Sequence, residues 1–138
     1  MGVATVDFRA EPSPGLRTTS GLTLHDEALV DGRWVGRWWQ GAGYVEHDQQ
    51  LGWITEAAHV PRATAGLDLA AFGLEVDGQS LGFGWEFVGY RDDGPGAGTV
   101  TLRSSLRPVT VALHTQVDGT GFLARCLSIT NDGDAPAA

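Results

Sequence analysis

From Leu69 onward the chain alternates apolar and polar positions with a period of two, which predicts half-buried strands and not helices. Ala70, Phe72, Leu74 and Val76 face one way and Ala71, Gly73, Glu75 and Asp77 the other, and Asp77-Gly78 then marks a hairpin turn. The heaviest apolar row follows, with Leu81, Phe83, Trp85 and Phe87 on one face. Opposite them lie Gly82, Gly84, Glu86, Val88 and Tyr90, where the glycines suggest either close approach of another backbone or a thin outer face. After the turn-rich stretch Asp92 to Gly96, Val100 and Leu102 open a third strand. Val109, Val111, Leu113 and Val117 alternate through a fourth, Asp118-Gly119 turns, and a fifth runs from Phe122 to Thr130 with Leu123, Leu127 and Ile129 on one side.

The front of the chain is less regular. A strand is expected over Val3 to Arg9, a Pro/Gly/Thr-containing loop over Glu11 to Gly21, and a short strand over Leu22 to His25, with a hairpin signal at Asp31-Gly32. Between Arg33 and Pro61 the pattern supports only strands with long loops. Short Gly- and Asp-rich turns without intervening helical patterns predict an all-β antiparallel sandwich formed by one domain, residues 1–138. The chain stops just after the turn Asn131 to Asp134, where a further strand would pair with the fifth. The expectation is therefore an incomplete, supersandwich-like domain cut from the N-terminal end of a longer protein, its last strand an edge that the complete protein would cover.

A 138-residue chain can bury roughly two-thirds of the surface its unfolded form exposes, so a stable core is feasible. The net charge of −8, with every basic residue an Arg, leaves no basic stripe for phosphates and argues against nucleic acid as a partner. Abundant Ala, Gly and Arg without Lys suggest a GC-rich bacterial source. The single Cys126 can form no internal disulfide and no zinc or redox pair, and is expected to be a small core residue. No signal-like segment and no run of roughly 20 apolar residues is present, so a cytoplasmic location with no membrane partner is the default expectation.

Gly78-Gln79-Ser80-Leu81-Gly82 matches the spacing of a nucleophile elbow, but that motif works on a strand-to-helix turn and here a strand is expected to follow, so Ser80 is read as a turn residue. His25, His47, His59 and His114 lack the close spacing of a metal pair, and neither a metal nor a cofactor is implied. Asp26, Glu27, Glu46, Asp48, Glu56, Glu86, Asp92 and Asp93 supply carboxylates enough for glycoside hydrolysis, which needs two placed about 5 to 10 Å apart, yet most are read as turn residues and no catalytic residue is assigned. The segment Arg33 to Gln40 places three Trp in six residues, with Tyr44 and Trp53 beyond. Core packing is the first reading of these rings, and Trp38, Trp39 and Trp53 are the candidate carbohydrate or partner contacts set against it.

Taken together, the Val-Asp-Gly-Gln turn at 76 to 79, Gly84-Trp85-Glu86, Leu106-Arg107-Pro108-Val109, His114 leading to Asp118-Gly119-Thr120, and Ile129-Thr130-Asn131 resemble the N-terminal β-supersandwich domain of bacterial α-galactosidases of glycoside hydrolase family 36. The likeness spans about Leu69 to Ala138 and includes no catalytic signature. It implies a parent enzyme that hydrolyses terminal α-galactosides with retention through a C-terminal (β/α)₈ barrel absent from this chain, so that this domain would be non-catalytic and its partners would be α-galactosides through the parent, the barrel, and a possible homo-oligomer. Two other classes remain: a free-standing carbohydrate-binding module, and a structural or oligomerisation domain whose apolar rows Leu81 to Phe87 or Leu123 to Ile129 pack against a neighbour.

Overall fold

The computed structural model describes residues 2–41 and 69–138, and for 38–41 the backbone alone. Among the described residues every regular element is a strand: β1 (Ala4–Arg9), β2 (Gly15–Ser20), β3 (Thr23–Val30), β4 (Arg33–Gly41), β5 (Leu69–Ala70), β6 (Glu75–Val76), β7 (Gln79–Ser80), β8 (Trp85–Gly94), β9 (Ala97–Ser104), β10 (Val109–Val117) and β11 (Leu123–Asn131). They form a five-stranded sheet in the order β1-β2-β3-β4-β5, a four-stranded sheet in the order β11-β10-β9-β8, and the small hairpin β6-β7. All pairings are antiparallel. The two large sheets pack as a sandwich, β1 lying against β9 and β10 and β2 against β10.

The expected alternation is clearest in β10, where Val109, Val111, Leu113, Thr115 and Val117 are buried and the residues between them are not. Leu113 stands opposite Val100 of β9, and Val111 opposite Leu102, so one row per strand meets the facing sheet. That sheet contributes Leu16 and Trp34, while Val76 and Leu81 bring the small hairpin into the same core. Phe8 of β1 stacks on Tyr90 with ring centroids 4.7 Å apart and on Phe87 at 5.4 Å, so β1 spans the inner side of β8. Burial of each such Val or Leu contributes about 1.5–3 kcal/mol relative to an exposed position.

Both Asp-Gly hairpin signals hold, for Asp31 and Gly32 have φ of 50° and 76° and Asp77 and Gly78 of 50° and 80°, the left-handed pair that a tight two-residue hairpin needs. The segment Ala70 to Val76, in contrast, is not one strand. Its ends pair in different directions, β5 with β4 and β6 with β7, and Ala71 to Leu74 lie between. The row expected from Leu81 to Phe87 also breaks: Leu81 and Trp85 are buried, but Phe83 is 61% exposed. The cause is Gly84, which turns at φ 83° so that its carbonyl accepts from Ser105 N while Trp85 N donates to Gly32 O across the sandwich at 2.9 Å. These bonds reset the phase of the strand and leave Phe83 outside. They also supply the close backbone approach expected at this glycine.

Within the expected loop Glu11 to Gly21 lies β2, whose inward residues are Leu16, Thr18 and Ser20. Hydroxyl residues at two of three inward positions erase the apolar rhythm from which a strand is read. The expected turn at Asp92 to Gly96 shrinks to Pro95-Gly96, because β8 continues to Gly94 through bulges at Phe87/Gly89 and Asp92/Gly94. At the same end of the sandwich Gly119 N and Gly121 N both donate to Ser20 Oγ at 3.2 Å. A Cβ on Gly21 would lie 2.6 Å from the Gly119 carbonyl oxygen, so this closure requires glycine.

Leu113→Ala is expected to lower unfolding free energy by about 2–5 kcal/mol, and Phe83→Ala to change it by no more than about 0.5 kcal/mol, as read by urea denaturation. A large loss at Phe83 would contradict its outward placement.

Candidate functional site

Two polar centres distinguish this sandwich from a purely apolar one. The first lies between the sheets. Glu27 of β3 is only 1% exposed, and its carboxylate accepts two bonds from Arg125 of β11, Nη2 to Oε1 at 2.6 Å and Nη1 to Oε2 at 3.0 Å. Arg125 Nε donates to Thr115 Oγ1 at 3.0 Å, which fixes the guanidinium plane, and His25 Nε2 lies 3.6 Å from Glu27 Oε2. Gly36, opposite Glu27 in the ladder, leaves room for the imidazole, since a Cβ there would meet His25 Cε1 at 3.0 Å. Burial alone would push the Glu27 carboxyl up, but bonding from His25 and Arg125 and the Arg125 charge outweigh it and lower the pKa to about 2. Its neighbour Asp26 is also buried, and is held by Arg9 at 3.1 Å with Arg17 Nε at 3.7 Å. Most of the carboxylates were expected to be turn residues, and these two are not. They sit instead within β3, because arginines on β1, β2 and β11 compensate them.

The second centre covers the outer face of the four-stranded sheet. Arg91, Thr99, His114 and Cys126 stand side by side on β8, β9, β10 and β11 in direct register. Asp93 accepts from Arg91 Nε and from Thr99 Oγ1, and these contacts hold its carboxyl below the ordinary range. Since Thr99 gives its proton to Asp93, its oxygen accepts from His114 Nδ1 at 3.0 Å. With the ring neutral, His114 Nε2 is then the acceptor for the Ser128 hydroxyl at 2.8 Å. Ser128, His114, Thr99 and Asp93 thus form a continuous proton-donating chain.

A serine polarised by histidine resembles a nucleophile, but acyl transfer also needs N–H donors converging on the developing oxyanion. On a sheet face the N–H groups lie in the plane of the ladder, at right angles to the side chains, and β10 is paired on both sides. The chain therefore orders the face without providing an oxyanion hole. Beside it lies a shallow hollow of about 310 Å³ lined by Asp93, Ala97, His114, Gln116, Ala124 and Cys126 among others. A smaller one of about 160 Å³ shares Gln116 and Ala124 and reaches Phe122, which is 79% exposed.

No family model, curated protein or solved structure significantly matches the chain.

Of the sequence-derived candidates, Trp38 and Trp39 stand in β4 opposite Asp26 and His25, and Trp53 lies outside the described residues. Trp34 of the same cluster is a core residue, 2% exposed. Ser80 ends the two-residue strand β7, exposed and followed by irregular backbone, so no strand-to-helix turn gives the Gly78 to Gly82 motif its chemistry. His47, His59, Glu46, Asp48 and Glu56 also lie outside the described residues. Among the described residues no group of three or more His, Cys, Asp or Glu is placed to hold a metal, and no helix is long and apolar enough to cross a membrane. Cys126, expected in the core, is exposed, because it falls on the outer row of an edge strand. What sequence reasoning missed was the pairing of Glu27 with Arg125. The only local signal was a charged doublet directly after the expected strand Leu22 to His25.

Glu27→Gln should cost about 3–5 kcal/mol at pH 7, since it leaves the Arg125 charge buried without its partner. Because the folded pKa of about 2 lies below the ordinary 4.5, the Glu27 contribution is present above about pH 4.5 and is lost as pH falls toward 2. The variant should show a flatter loss of stability across that window in acid titrations followed by circular dichroism.

Proposed function

We propose that this chain is the non-catalytic N-terminal sandwich domain of an α-galactosidase-like glycoside hydrolase, bacterial and cytoplasmic, whose retaining chemistry on terminal α-galactosides resides in a separate barrel. The observation that carries the reading is the way the segments of the family resemblance converge in space. Arg107, from the Leu106 to Val109 run, donates to both Asp77 Oδ2 and Gln79 Oε1 of the Val76 to Gln79 turn, each at 2.9 Å. His114 and the stretch Ile129 to Asn131 occupy neighbouring strands of the same sheet. Residues scattered over the sequence likeness thus meet within one structural unit, which supports reading them as structural. Leu127 and Ile129, on the inner row of β11 yet 37% and 54% exposed, further suit a domain that docks against a neighbour.

The isolated chain should not hydrolyse p-nitrophenyl α-galactoside, whereas antibodies against it should deplete α-galactosidase activity from an extract of its source. Activity left undiminished after complete removal of the antigen would overturn the proposal.

A carbohydrate-binding role is the second reading, favoured by the outer-face hollow and its exposed Phe122 ring, which could stack on a pyranose. It predicts saturable heat in calorimetric titration with melibiose that Phe122→Ala abolishes. No heat with the wild-type chain rejects it.

A further inference from the structure

We infer that β11 is a self-complementary edge on which two copies of this chain pair antiparallel, joining their four-stranded sheets into one continuous sheet. The inference names the neighbour in the docking role proposed above. It starts from an asymmetry between the edges of the sandwich. On the four-stranded sheet the β8 edge is broken by two bulges and carries Glu86, Arg91, Asp92 and Asp93, devices that discourage further strand pairing. On the other sheet β1 carries Asp7 and Arg9, and β5 is two residues long. None of these protections appears on β11. Its nine residues run in unbroken register with β10, contain no proline, and leave their outer backbone groups without a ladder partner among the described residues. Its one charge, Arg125, is already neutralised by Glu27 within the same chain.

The strand also matches itself. Antiparallel pairing about a two-fold axis through Ser128 sets Leu127 opposite Ile129 of the second copy, and Ile129 opposite Leu127, so the two exposed inner-row side chains cover each other twice. In the same register Arg125 faces Asn131, Cys126 faces Thr130, and Asp132 and Asp134 face Ala124 and Phe122. No like charges meet, even though the chain as a whole carries a net charge of −8. A one-residue slip would set inner-row against outer-row positions, so the apolar row selects the register.

The full chain should be dimeric by size-exclusion chromatography with light scattering. Ile129→Lys, at a half-exposed position, should yield a folded monomer by circular dichroism, whereas Phe83→Lys, on another surface, should remain dimeric. Thr130→Cys should cross-link on oxidation to the native Cys126 of the second copy, because directly opposed residues have Cα atoms about 4.5–5.5 Å apart, within disulfide range. A monomeric wild-type chain overturns the inference, as does a dimer that survives Ile129→Lys or in which Thr130→Cys forms no cross-link. Depletion of α-galactosidase activity reports on the parent enzyme and light scattering on the occupant of β11, so either proposal can fail alone.

Discussion

The ion pair between Glu27 and Arg125 is the constraint on which the arrangement of this sandwich turns. Apolar rows bring two sheets together without fixing where one sits on the other, because dispersion and water exclusion are weakly directional. A bidentate carboxylate–guanidinium contact is directional, and this one joins β3 of one sheet to β11 of the other. Its cost is desolvation of two charges, offset by the Thr115 hydroxyl and the nearby His25 ring. The pair therefore acts as a locator, while the core cluster that includes Val111, Leu113, Leu102 and Trp34 supplies the apolar burial.

The same contact marks where the sandwich stops being closed. Up to Arg125 the inner row of β11 is partly covered, and beyond it Leu127 and Ile129 emerge into solvent. An apolar inner row with no facing layer among the described residues is uncommon in a domain whose other edges are shortened, bulged or charged. The proposed docking role and the proposed self-pairing of β11 both start from this local imbalance, among the described residues, between a sheet that continues and a cover that does not.

The outer face shows how a catalytic-looking arrangement can arise from strand geometry alone. Cross-strand register places Thr99, His114 and Cys126 in a row, and hydroxyl and imidazole groups in such a row bond to one another because each satisfies its neighbour. Its side chains stand on a sheet face at right angles to the ladder's N–H groups, so no N–H donors converge on the serine as an oxyanion hole requires.

The one-dimensional pattern was sufficient wherever burial was one-sided and apolar. β10, β9 and β11, the two Asp-Gly hairpins and the all-β class were legible because period-two burial and left-handed turn residues act within a few positions of the chain. Among the candidate sites, the core placement of Trp34 was legible as the first reading of its cluster, and the exposure of Cys126 not at all. Tertiary structure decided whatever depended on groups far apart in sequence. β2 became a strand although its inward positions are Thr18 and Ser20, the latter bonded to the turn near Gly119. Phe83 went outward because Gly84 O accepts from Ser105 N while the next residue, Trp85, donates its N–H to Gly32 O. Asp26 and Glu27 could enter a strand interior only because arginines 98 or fewer residues away fold back to meet them. Short-range periodicity records which side of a strand is dry, whereas compensation of a buried charge is set by a partner that only folding brings near.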